Sequence, residues 1–188
     1  MRIGEFLFRY RSFIPVPYII FLLIISKPCT PCIILGVVLI ITGEILRIYT
    51  QRFTGDWTRG SKIEGERVVD SGPFSIVRHP LYTANLLIGA GYTVLSGNLL
   101  VYLIPLYIIL FGVYYTLIIL AEEDYLTRKF PDVYPEYRKR VSAFIPLRFK
   151  WNGGNPSPWR EGIKREKSTI LTTMIILLFF TGRFLWKH

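Results

Sequence analysis

Apolar positions fall into five runs separated by polar stretches of unequal length. Phe13–Ser26 is the first, 14 residues interrupted by Pro15 and Pro17. It is short of the roughly 20 residues a full membrane span needs, so it crosses only with tilt, flanking residues or as half of a hairpin. Cys32–Ile48 is the second, carrying Gly36, Gly43 and Glu44, and the two together predict a helical hairpin over 13–48. Pro80–Leu95 is the third, with a proline suited to a helix start and Gly89 and Gly91 suited to close helix packing. Leu99–Ala121 is the fourth, 23 residues without a charge. Ser168–Trp186 is the fifth and spans if Arg183 snorkels. No internal repeat is present.

The polar segments carry their own patterns. Residues 49–79 mix both signs of charge and are punctuated by Gly55, Gly60, Gly65 and Gly72, a length that in a small protein is usually functional or disordered. Within them Val68–Val69 reads as a short extended piece and Asp70-Ser71-Gly72-Pro73 as a turn. Residues 125–150 predict an interfacial region. Asp132 is placed to cap a helix, Tyr134, Tyr137 and Val141 recur at helical spacing, and Arg138, Lys139 and Arg140 fill the remainder, as in an amphipathic helix on a membrane surface. Trp151 and Trp159 bracket a loop suited to the headgroup zone.

Composition agrees with this pattern. Just over half the residues are hydrophobic (51%), and 15% are aromatic, enough for interfacial belts. The net charge of +10 sits on the flanks of apolar runs and in no separate basic domain, so it predicts contact with anionic lipid headgroups and no nucleic-acid partner. The basic residues gather before the first run, between the second and third, and between the fourth and fifth. The other loops carry only Lys27. All large polar segments are therefore expected on the cytoplasmic face. Arg2, Arg9 and Arg11 precede an apolar run without a small-residue cleavage site, which reads as no cleaved leader. The expected fold is all-α: one membrane domain over 1–188, a multi-pass transmembrane helical bundle of about five spans with a cytoplasmic interfacial amphipathic helix. It divides into the hairpin 13–48, a core 49–150, and a linker with C-terminal helix over 151–188.

Candidate chemistry is sparse. Cys29 and Cys32 are the only cysteines, and one CxxC without further ligands predicts no metal site. It reads as two small residues in a tight turn, with a redox pair or a disulfide on the outer side as the alternatives. Glu44, near the inner end of an apolar run, is either functional or paired with Arg47. Glu122 and Glu123 close the longest apolar run. Adjacent helical residues point about 100° apart, so one can turn inward to a ligand while the other pairs with protein; the plainer alternative is that both solvate the helix end. Arg78-His79-Pro80 is a rigid polar corner, which alone reads as a phosphate contact and a helix cap.

The order Gly72-Pro73-Phe74, Arg78-His79-Pro80-Leu81-Tyr82, an uncharged hairpin, then Glu122-Glu123, Leu126, Phe130, Tyr134 and Tyr137 resembles the isoprenylcysteine carboxyl methyltransferase and phospholipid methyltransferase superfamily. The resemblance covers about residues 40–146. It implies an integral membrane methyltransferase that uses S-adenosyl-L-methionine without a Rossmann fold, and no GxGxxG after a strand occurs here. It implies that Val68 and Val69 line the cofactor pocket, with Phe74 at a position usually tyrosine, that His79, Pro80, Leu81 and Tyr82 form the cofactor-contacting turn, and that Glu122 is the cofactor-contacting carboxylate. The isoprenylcysteine enzymes carry a substrate arginine one turn before the first glutamate; Ile118 stands there. The expected catalytic residues are Arg78, placed to hold a carboxylate or headgroup, and Glu123, a proton acceptor for an amine substrate alongside Tyr82. The expected acceptor is lipid-like, with an amine-directed phospholipid N-methyltransferase as an alternative. A reductase resembling the sterol reductases would need a longer chain and a nicotinamide site. A non-catalytic membrane scaffold would make the histidine turn and the acidic pair dispensable.

Overall fold

A computed structural model describes residues 3–54, 67–147 and 149–185, without the side chain of Glu5. Among them the regular structure is entirely helical: α1 (Ile3–Arg9), α2 (Val16–Ile25), α3 (Thr30–Gln51), α4 (Pro80–Leu95), α5 (Leu100–Lys129), α6 (Tyr134–Arg140) and α7 (Trp159–Leu185), with a 3₁₀ turn at Gly72–Ser75. α3, α5 and α7 are long and apolar enough to cross a membrane. α2 has 10 residues and α4 has 16, which leaves both short of a straight span. Exposed apolar side chains wrap the outside of the bundle, among them Ile34, Val38 and Ile41 on α3, Val101, Ile108 and Ile109 on α5, and Leu171, Leu178 and Phe179 on α7. In water such a surface would aggregate; in lipid it is the expected exterior. The chain is an integral membrane protein.

α3 packs most closely along α4, and α2 also leans on α4. The α3–α4 contact is set by glycines. A Cβ on Gly36 would lie 2.8 Å from the Gly91 carbonyl oxygen, and one on Gly91 would lie 2.7 Å from the Gly36 carbonyl oxygen. The two backbones touch because neither residue has a side chain. Leu22, Ile40, Ile88, Tyr92, Leu95 and Phe180 bury their side chains around this crossing. A second cluster joins α1, α4 and α5 through Phe8, Tyr82, Phe111, Tyr115 and Ile118.

Two local expectations change. The helix after the acidic pair begins at Tyr134 with Val133 at its N-cap and no side-chain cap, so Asp132 does not cap it. The C-terminal helix starts at Trp159, nine residues before the apolar run, because the charged stretch Arg160–Lys167 continues the helix. Cys29 and Cys32 are joined by a disulfide at the start of α3, where the Cys32 amide donates to Cys29 Sγ at 3.3 Å. Trp151 stacks on Tyr49, and the Arg52 guanidinium lies 4.2 Å over Trp159. These rings tie the loop before α7 to the C-terminal end of α3.

Gly91→Leu is expected to force α3 and α4 apart and to cost about 1–3 kcal/mol, the usual penalty of overpacking. Thermal unfolding in detergent should show a clear fall in midpoint. The same substitution at Gly112, where a Cβ meets nothing within 4 Å, should leave it nearly unchanged.

Candidate functional site

The Gly72–Ser75 turn begins with a left-handed residue, Gly72 at φ 59°, whose missing Cβ accommodates the Phe53 ring. The turn is held from two sides. Gly72 N–H donates to Asn152 O and the Asn152 amide donates to Ser75 Oγ, while Tyr137 Oη donates to Phe74 O at 2.7 Å. Beyond it, the Arg78 and His79 amides donate to Ser142 O and Ala143 O. The loop before α7, α6 and the segment after α6 therefore clamp the turn from outside. Pro80 opens α4, and the His79 carbonyl accepts from the Tyr82 and Thr83 amides of its first turn.

The end of α5 meets this turn. Glu123 is 3% exposed. Its Oε1 accepts from Arg78 Nε at 2.8 Å and lies 2.7 Å from Arg78 Nη2 and 3.1 Å from His79 Nε2, and its Oε2 forms an ion pair with Arg138 at 3.1 Å. Arg78 also donates to the carbonyls of Arg138 and Val141. Glu122 points the other way. Its Oε2 accepts from Tyr82 Oη at 3.0 Å, lies 3.7 Å from His79 Nδ1, and its side chain keeps 26% exposure. The 100° divergence of neighbouring helical residues thus gives the two acids different surroundings, one facing protein and one facing open space.

That open space is a cavity of about 770 Å³, within the range of small-molecule sites. Val68, Val69, Phe74, Arg78, His79, Leu81, Tyr82 and Glu122 all line it. Pro80 and Glu123 stand behind the wall. The cavity continues past Asn85 into the apolar interior. There it is bounded by α2 through Ile19, Ile20 and Leu23 and by α7 through Thr169, Thr172, Ile176 and Phe179. Ile20 is 51% and Phe179 64% exposed, so the apolar end opens on the lipid-facing surface between these helices.

Several residues of this wall escaped the sequence pattern. Tyr134 and Tyr137 read there as an interfacial stripe, but they are buried and line the cavity. Burial pushes both phenols well above their ordinary range, the charge of Glu123 adding for Tyr134 and the neighbouring Tyr134 phenol for Tyr137, so both stay protonated at neutral pH. Tyr134 Oη is buried without a hydrogen-bond partner, a donor available to a ligand. Arg47 lines the cavity too, but its partner is Glu166 of α7 at 2.9 Å, not Glu44. Glu44 instead accepts from Thr173 at 2.6 Å. A lone arginine in an apolar run was the available signal; a partner 119 residues away in a charged stretch gave none. Ile118 is fully buried in the α1–α4–α5 cluster. Among the described residues no group of three or more His, Cys, Asp or Glu could hold a metal ion.

The phospholipid methyltransferase family model matches residues 31–133, more than half of the chain, and the chain belongs to that family. It is 37% identical over 110 residues to the cobalt-zinc-cadmium resistance protein CzcN of Cupriavidus metallidurans, covering 58% of this chain and 49% of that protein. It is 34% identical over 120 residues to protein-S-isoprenylcysteine O-methyltransferase B of Arabidopsis thaliana, covering 60% and 58%. Against the protein-S-isoprenylcysteine O-methyltransferase of Schizosaccharomyces pombe it is 35% identical over 80 residues, covering 43% and 33%. The chain thus spans less than two thirds of the length of each of these relatives. No solved structure matches it.

Glu123→Ala is expected to strand Arg78 and His79 at a nearly buried position and to cost about 3–5 kcal/mol, the range for breaking a buried ion pair from one side. Asp124→Ala removes an exposed ion pair with Arg128 and should cost under about 1 kcal/mol. Thermal unfolding of both variants in one detergent checks the contrast.

Proposed function

We propose that the protein is a membrane methyltransferase that uses S-adenosyl-L-methionine and methylates a lipid-like or otherwise apolar acceptor on its cytoplasmic side. The observation that carries this reading is the meeting of the His79–Tyr82 turn with the Glu122–Glu123 pair at one end of a cavity whose other end opens between α2 and α7.

The residues present suit the methyl donor. Glu122 offers an anionic oxygen on the wall, already aligned by the Tyr82 hydroxyl, where the positive charge of an amino or sulfonium group would be held. Tyr134 offers an unpartnered buried hydroxyl, and Val68, Val69 and Phe74 offer an apolar and aromatic surface. The bound donor supplies a methyl group already activated on sulfonium sulfur. What remains for the protein is to align the reactants in line and to exclude water.

Glu123 acts in this reading by position. Its two oxygens are engaged by Arg78, His79 and Arg138, so it fixes the turn and leaves the cavity to its neighbours. A carboxylate acceptor needs no base. An amine acceptor, as in a phospholipid N-methyltransferase, must lose a proton, and Glu122 with Tyr82 is the proton-accepting pair that faces the cavity. The family match favours keeping this second reading. The lipid-facing opening lets the acceptor enter sideways while a water-soluble cofactor enters at the polar end.

Purified protein in detergent is expected to bind S-adenosylhomocysteine by calorimetry. Glu122→Gln and His79→Ala should each weaken binding about ten- to a hundredfold, the range for one charge-assisted hydrogen bond. A non-catalytic scaffold would give no heat at all. Transfer of tritiated methyl from the cofactor into a total lipid extract, with product identification, separates O-, N- and S-methylation.

A further inference from the structure

The methyltransferase reading leaves the Arg47–Glu166–Asn85 cluster, midway along the cavity, without a role. Arg47 Nε and Nη2 donate to the Glu166 carboxylate at 2.9–3.1 Å, and Nη1 donates to Asn85 Oδ1. Glu166 is fully buried and Arg47 retains 15% side-chain exposure on the cavity wall. A guanidinium carries five N–H groups; Nε and Nη2 are spent on Glu166, and Nη1, with Asn85 as its single partner, keeps a second one. A pin for α7 would need none of this. α7 is already fastened to α3 by Arg165 donating to Gln51 O and Thr54 O and by Thr173 donating to Glu44. The Asn85 contact turns Nη1 across the cavity, toward α4.

The level of the cluster is informative. Asn85 lies six residues beyond His79 on α4, about 9 Å deeper at 1.5 Å per residue. The apolar opening between Ile20 of α2 and Phe179 of α7 lies on the far side of it. An amphiphile that enters there with its chain along these residues brings its head to Arg47 before it reaches Glu122. Arg11 lines the same cavity. A guanidinium N–H donates strong, charge-assisted hydrogen bonds to oxyanions.

We infer that Arg47, held by Glu166 of α7 and Asn85 of α4, binds an oxyanion, carboxylate or phosphate, on the head of the acceptor and so determines which amphiphiles are methylated. This rests on the methyltransferase reading. α7, which lies outside the family match at 31–133, then belongs to the acceptor site through Glu166.

The test uses the full chain in neutral maltoside detergent, with ¹⁴C-dodecanoate as the bound probe and unlabelled dodecanoate, dodecyl phosphate and dodecanol as competitors. Both anions should displace the probe at concentrations at least tenfold below dodecanol, and the stronger of the two distinguishes carboxylate from phosphate. The double variant Arg47→Gln/Glu166→Gln, which keeps a hydrogen-bonded pair, should lose that preference while binding S-adenosylhomocysteine within twofold of the parent. If that variant also loses S-adenosylhomocysteine, Arg47→Lys decides. It keeps the charge but loses the fork, and an unchanged preference in it overturns the inference. Absence of probe binding, or equal displacement by dodecanol, overturns it as well. A parent protein that binds no S-adenosylhomocysteine overturns the methyltransferase reading, which separates the two failures.

Discussion

One nearly buried carboxylate holds the polar end of this bundle together. Glu123 receives Arg78 and His79 from the turn before α4 and Arg138 from α6. These groups come from two separate stretches of chain, each of which would otherwise leave an arginine without its counter-charge near an apolar helix end. An unpaired charge there would cost several kcal/mol. With all of them on one acid, their hydrogen-bonding demands are met together. The consequence reaches beyond stability. Because Glu123 satisfies the cations, Glu122 is left to face the cavity with Tyr82 as its partner. The division of labour between two adjacent acids follows from helix geometry and from where the cations lie.

Much of this was legible in sequence because it depends on local order. An acidic pair at the end of an uncharged run and a histidine-proline corner at the start of another mark two helix ends on one face. Helix geometry alone requires the two acids to diverge. Which acid turns to the cavity was implied only by the family resemblance, at Glu122; the residues alone left it open, because it depends on the rotation of α5 against α4 and on packing around Tyr115 and Ile118. The same limit applies to Arg47. Its position in an apolar run signalled a partner, and Glu44 three residues earlier was the local candidate. The actual partner, Glu166, reads in sequence as one more charge in a solvated stretch.

α7 shows why charged stretches mislead. Residues 160–167 look like a polar linker, yet they form the first turns of a helix whose buried face carries Gly162 and Glu166 and whose other side stays exposed. A helix that slides along α3 can bury one acid if α3 presents a guanidinium at the matching height. Pairing across helices has no sequence period, so only the assembled bundle shows it.

The cavity's electrostatics follow a single rule when these clusters are taken together. In both ion pairs the arginine lines the cavity and its glutamate stands behind: Arg78 before Glu123, and Arg47 before Glu166. The buried acids fix the guanidiniums at the cavity wall. Glu122 reverses the sign at the polar end only. A cavity ordered this way suits a cationic donor at one end and an oxyanion-bearing, apolar-tailed acceptor approaching from the other. Opposite charges on the two reactants would draw them toward the same point, and a reversed arrangement of Glu122 and Arg47 would hold them apart.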